Sequence, residues 1–80
     1  MPAPHDRLDE ARRRLGLTVH EMWVEYFSLG GKASVLELDA YLQGALQLHP
    51  MEYNTIAHAL NERFMVRGEN HPVPYADGLS

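Results

Sequence analysis

The sequence contains no cysteine and no apolar run long enough to cross a membrane. The lack of cysteine excludes disulfide bonds, cysteine-ligated zinc and a thiol nucleophile, which are typical of small secreted domains and cysteine-dependent enzymes. A membrane-spanning helix needs about 20 consecutive apolar residues, and the first residues of the chain lack a signal-peptide pattern. We therefore expect a soluble, cytoplasmic protein that does not associate with membranes.

Basic residues are also scarce. Seven lysines and arginines stand against eleven aspartates and glutamates, so the formal net charge is −4 and the isoelectric point is near 5.6. The basic cluster of Arg12, Arg13 and Arg14 lies close to three acidic residues that oppose its charge, Asp6, Asp9 and Glu10. Proteins that bind nucleic acid by neutralising phosphates have the opposite balance. The expected partner is another protein or a second copy of the chain, and we do not expect nucleic acid to be a partner.

Residue usage favours helices over strands. Valine, isoleucine and threonine are few, whereas leucine and alanine are abundant. Glycines and prolines divide the chain into four segments of helical length. We predict an all-α fold, a compact bundle of four short helices over residues 6–15, 18–29, 34–47 and 50–67 that forms a single domain over residues 1–68. The prolines of residues 69–80 interrupt helical hydrogen bonding, so we expect an extended or disordered tail outside the core.

Local signals mark where three of these helices begin. Thr18 with Glu21, and Ser34 with Glu37, have the spacing of a capping box, in which each side chain accepts a hydrogen bond from the other residue's backbone N–H. Pro50 suits the first position of a helix because its missing N–H would have had no partner there, which leaves His49 as the capping residue.

The second helix has a broad apolar face. Its apolar residues recur at helical spacing and are Val19, Met22, Trp23, Tyr26 and Phe27. The first helix offers only a narrow apolar stripe to cover them. We therefore expect Trp23, Val24 and Phe27 to stay exposed and form a partner or dimer interface, since tryptophan and tyrosine are enriched at binding hot spots. The alternative is that these rings are ordinary core.

The third and fourth helices also permit a helix-turn-helix interpretation. In that motif the second helix lies in the major groove and reads base edges with exposed side chains. The candidate DNA contacts in the 34–67 helix pair are Asn54, Thr55, Arg63 and Arg67. The acidic balance of the chain argues against tight binding.

The sequence lacks the usual motifs of catalysis. It has no glycine-rich phosphate loop, no serine nucleophile beside a plausible base and no obvious carboxylate pair, so we predict no enzymatic activity and no cofactor. His58 and Glu62 are one helical turn apart and could supply two metal ligands, but a third ligand is missing. We therefore predict no metal site.

Two segments, ELDAYLQG at 37–44 and IAHALNERF at 56–64, resemble small uncharacterised actinobacterial helical proteins. The resemblance implies a bacterial regulatory or accessory protein and assigns a role to no residue. We therefore expect a small protein–protein interaction or regulatory module without catalytic activity that self-associates as a homodimer. The alternative function is that of a helix-turn-helix transcriptional regulator.

Overall fold

Four helices make up the secondary structure of the computed structural model, which describes residues 3–76. They are α1 (Pro4–Leu15), α2 (Val19–Ser28), α3 (Val35–Leu42) and α4 (Pro50–Val66). No strand occurs in this part of the chain, so the predicted all-α class is confirmed. Residues 1–2 and 77–80, which belong to the predicted domain and tail, lie outside the described residues.

The longest helix, α4, is the centre of the bundle. It packs against α1 and α2, and α3 packs against the same two helices. Seven residues of α4 are buried, namely Tyr53, Ile56, Ala57, Ala59, Leu60, Asn61 and Phe64. Leu8, Met22 and Leu38 enter the same core from the other three helices. Helices α3 and α4 are thus joined mainly through α1 and α2.

Both predicted capping boxes are confirmed. The Thr18 hydroxyl accepts a hydrogen bond from the Glu21 N–H (3.0 Å), and the Glu21 carboxylate accepts one from the Thr18 N–H (2.8 Å). Ser34 and Glu37 form the same pair of bonds, at 3.1 and 2.8 Å. The backbone N–H groups of Thr18 and Ser34 lower the pKa values of the two glutamates below their ordinary value. His49 also caps α4 as predicted, since its Nδ1 accepts from the Met51 N–H.

We expect Thr18→Ala and Ser34→Ala each to lower the free energy of unfolding by about 1 kcal/mol, because each leaves a helix N–H without its partner. In a domain of this size that loss lowers the melting temperature by about 4–8 °C. Thermal unfolding followed by circular dichroism measures it. Ser28→Ala is the control, because its hydroxyl only donates to the exposed Glu25 carbonyl. Equal effects from all three variants would contradict the capping assignment.

Two helix boundaries differ from the prediction by more than one residue. Helix α1 begins at Pro4 rather than residue 6, so Asp6 lies one turn inside and accepts a hydrogen bond from the Ala3 N–H (3.3 Å). Helix α3 ends at Leu42 rather than residue 47. The chain turns at Gly44, which has a left-handed backbone (φ +81°) and lies against the imidazole of His5 from α1. Gly44 ends α3 through a local C-cap, in which the N–H groups of Gly44 and Ala45 donate to the Tyr41 and Ala40 carbonyls.

The expectation that the tail adds nothing to the core is wrong. Residues 69–76 are not helical, yet Val73 is only 3% exposed and belongs to the core cluster. The Asn61 carboxamide donates to the Val73 carbonyl (2.8 Å) and accepts from the Val73 N–H (2.9 Å). The Tyr53 hydroxyl donates to the Pro74 carbonyl (2.9 Å). Side chains of α4 replace the backbone partners that an extended segment lacks, and they hold the tail on the bundle.

Candidate protein interface on helix α2

Three residues of α2 form one apolar surface, here named the α2 patch: Trp23, Val24 and Phe27. Val24 is 48% exposed and Phe27 is 57% exposed, whereas Trp23 is half-buried. The structure therefore brings together the three residues that the sequence marked. Val19 and Trp23 pack against the edge of the core, and Met22 and Tyr26 are fully buried. The predicted apolar face is thus divided between core and surface.

The two rings of the α2 patch are held in a fixed geometry. The Trp23 and Phe27 rings stack with centroids 4.9 Å apart and planes at 23°. The indole N–H of Trp23 donates a hydrogen bond to the Ala33 carbonyl (2.9 Å) and ties the ring to the loop before α3. The exposed face of Phe27 therefore rests on an anchored ring.

A buried hydrogen-bond network fixes α2 beneath the patch. The Tyr26 hydroxyl accepts from the Ala33 N–H (2.7 Å) and donates to the Glu52 carboxylate, which also accepts from the Lys32 N–H (3.0 Å). Burial, with the bond to Glu52, raises the pKa of Tyr26 to about 12. Burial would raise the pKa of Glu52 as well, but the bonds from Tyr26 and Lys32 lower it overall. At neutral pH Tyr26 is a donor and Glu52 an acceptor.

The acidic residues of α2 are engaged within the fold. Glu25 forms an ion pair with Arg63 of α4 (2.9 Å), and Glu21 is held in its capping box. The Glu25–Arg63 pair lies on the flank of α2 that faces α4. The α2 patch contains no charged residue.

The structure does not assemble the candidate DNA contacts into one exposed surface. Asn54 accepts a hydrogen bond from the Ala76 N–H, and the Thr55 hydroxyl donates to the Met51 carbonyl. Arg63 pairs with Glu25, while Arg67 donates to the Arg14 carbonyl and lies 3.7 Å from Glu69. Each side chain has an intramolecular partner, and none of these contacts favours a nucleic-acid interface.

His58 and Glu62 form the pair that the sequence suggested, with the imidazole Nε2 2.9 Å from the carboxylate. Within residues 3–76, no three histidine or acidic side chains cluster closely enough to hold a metal ion. None of the helices in the same range is long and apolar enough to cross a lipid bilayer.

Sequence reasoning missed a cleft that involves Arg7 and Tyr41, which come from α1 and α3. No local signal could have identified it, because its walls come from four separate parts of the chain.

No protein-family model matches the chain, and no curated protein or solved structure is significantly similar to it. Its function is therefore inferred from its own surfaces. The likeness of segments 37–44 and 56–64 to actinobacterial regulatory or accessory proteins stays an expectation.

Proposed function

We propose that this protein is a small protein-interaction module, acting by binding rather than catalysis, that self-associates by packing the α2 patch of one copy against that of another. The observation that carries the proposal is the exposure of Phe27 and Val24 beside the anchored Trp23 ring. A bacterial regulatory or accessory role is consistent with such a module.

Burying the α2 patch in an interface is favourable and costs little side-chain entropy. Burying a large apolar side chain contributes about 1.5–3 kcal/mol relative to leaving it exposed. The stacked geometry of Trp23 and Phe27 already restricts both rings in the monomer. Little side-chain freedom is then lost on association, which is the main benefit of preorganised aromatic contacts.

The charges next to the α2 patch do not oppose a second copy. Two copies of net charge −4 repel each other, and a contact through an uncharged surface adds the least local repulsion. The α2 patch is such a surface, and the nearby Glu25 is already neutralised by Arg63. A two-fold arrangement covers both patches with a single contact, and this is the commonest symmetry of soluble oligomers.

The test compares two valine-to-glutamate substitutions by sedimentation velocity. Val24→Glu places a charge inside the proposed interface, and two-fold symmetry doubles its effect. Val66→Glu is the matched control, because Val66 is 86% exposed at the end of α4 and lies outside the patch. We expect dimers for the native chain and Val66→Glu at about 100 µM, and a folded monomer for Val24→Glu, since specific contacts commonly have micromolar constants.

Two results would overturn the proposal. A native chain that is monomeric at about 100 µM has no self-association of the expected strength. If Val24→Glu leaves the dimer intact, or if Val66→Glu disrupts it equally, the dimer forms through another surface. Circular dichroism of both variants confirms that each remains folded.

A further inference from the structure

A cleft of about 490 Å³ lies where the first turns of α1 and α4 meet the end of α3 and the tail. Its volume falls within the range of small-molecule sites, about 300–1,000 Å³. The cleft is lined by three tyrosines, three prolines, two aliphatic residues and one arginine, Arg7. Apart from Arg7, its walls are therefore mainly aromatic and apolar.

The charge of the cleft is unusual for this protein. Among residues 3–76, Arg7 is the only charged residue that lines it, in a chain whose net charge is −4. Arg12, Arg13 and Arg14 of the same helix all form ion pairs with carboxylates, whereas Arg7 forms none with the described residues. A guanidinium group matches the geometry of a carboxylate and can bind it through two parallel hydrogen bonds.

Two helix ends add to the positive potential of the cleft. Pro4 and Pro50 are the first residues of α1 and α4, and both line the cleft. The N-terminal end of a helix carries a partial positive charge that stabilises a nearby anion. The first turn of each helix also holds an acidic residue, Asp6 or Glu52, which offsets part of this charge, so Arg7 is the main attraction for an anion in the cleft.

Tyr41 supplies a hydrogen-bond donor. The residue is 8% exposed, and its hydroxyl has no hydrogen-bond partner among the described residues. Because Tyr41 lines the cleft, we infer that its hydroxyl is open to a ligand bound there. Burial, with a smaller effect of Tyr53, raises the pKa of Tyr41. The hydroxyl therefore stays protonated at neutral pH and can donate to an anion.

Tyr53 has a different role in the same cleft. Its hydroxyl donates to the Pro74 carbonyl (2.9 Å), and the Asn54 side chain accepts from the Ala76 N–H (2.7 Å). These two bonds hold the tail against α4, so that Pro74, Tyr75 and Ala76 form one wall. The cleft exists only because the tail is docked.

We propose that this cleft binds a small molecule with an aromatic body and a carboxylate. The carboxylate pairs with Arg7 and accepts from the Tyr41 hydroxyl, and the aromatic body packs between the tyrosine rings and the prolines. This site is separate from the α2 patch, and it gives the interaction module a ligand.

The test uses two probes of nearly the same shape, the anionic 1-naphthylacetate and the neutral 1-naphthylacetamide, in calorimetric titrations. We expect the carboxylate to bind the native chain at least about tenfold more tightly, as a charge-assisted hydrogen bond requires. Arg7→Gln should remove that difference and leave the affinity for the amide unchanged. Tyr41→Phe should weaken carboxylate binding several-fold. Arg13→Gln is the control, since Arg13 is an exposed arginine of the same helix that does not line the cleft.

Nuclear magnetic resonance locates the probe. Shifts of the Tyr41 and Tyr53 ring signals support the proposal, whereas shifts confined to the Trp23 indole place the probe on the α2 patch and overturn it. Equal affinities for the two probes, an absence of binding at millimolar concentration, or an Arg7→Gln variant that binds as the native chain does would each overturn it as well. Repeating the titration with Val24→Glu separates this proposal from self-association, because the cleft should bind equally in the monomer.

Discussion

Gly31→Ala should destabilise the protein by about 3 kcal/mol or more, because overpacking a core adds to the loss of the Tyr26 hydrogen bonds. A Cβ atom at position 31 would overlap the Tyr26 ring, which is fully buried. The ring cannot move aside without breaking the bonds of its hydroxyl to Ala33 and Glu52. A loss of this size is a large part of the total stability of a small domain. Urea unfolding measures it.

A double-mutant cycle separates this clash from a general effect of glycine replacement. Gly30→Ala is the matched control, since Gly30 has open space around its Cβ position but a left-handed backbone (φ +96°). Its loss of about 1–2 kcal/mol comes from the backbone. In a Tyr26→Leu background the effect of Gly31→Ala should largely vanish, while that of Gly30→Ala should persist. If Gly31→Ala unfolds at the same urea concentration as the native chain, the Tyr26 ring is not packed on Gly31.

Asn61→Leu should lower the free energy of unfolding by about 3 kcal/mol, since a buried donor and a buried acceptor lose their partner together. Asn61 is 1% exposed, and its carboxamide satisfies both the N–H and the carbonyl of Val73. Leucine has a similar size but can form neither bond. Val73 must then leave the core or stay there with two unpaired backbone groups.

Urea unfolding and hydrogen exchange at the Val73 amide test this prediction together. We expect the Val73 amide to exchange slowly in the native chain and much faster in Asn61→Leu. Asn54→Ala is the comparison, because it removes a single, partly exposed bond to the tail and should lower stability by only about 1 kcal/mol. If the native Val73 amide is unprotected and Asn61→Leu unfolds like the native chain, the tail does not contribute to the core.

The starts of α2, α3 and α4 could be read from the sequence because their causes are local. Thr18 and Glu21 are three residues apart, as are Ser34 and Glu37, so each capping box closes within one turn regardless of what packs on it. Pro50 prescribes a helix start in the same way. The sequence predicts only part of how α2 divides into a buried and an exposed side. Periodicity identifies an apolar face, but it does not show how much of that face the other helices cover.

Tertiary contacts decided the rest. Tyr26 requires glycine at position 31 because its ring folds back over the chain. The prolines of the tail predict a segment outside the core, yet Asn61 supplies the backbone partners that make burial of Val73 favourable. The Arg7–Tyr41 cleft arises only when α1, α3, α4 and the tail meet. Capping hydrogen bonds and helical spacing depend on residues that are close in the sequence. The docked tail and the cleft depend instead on which distant side chains come into contact.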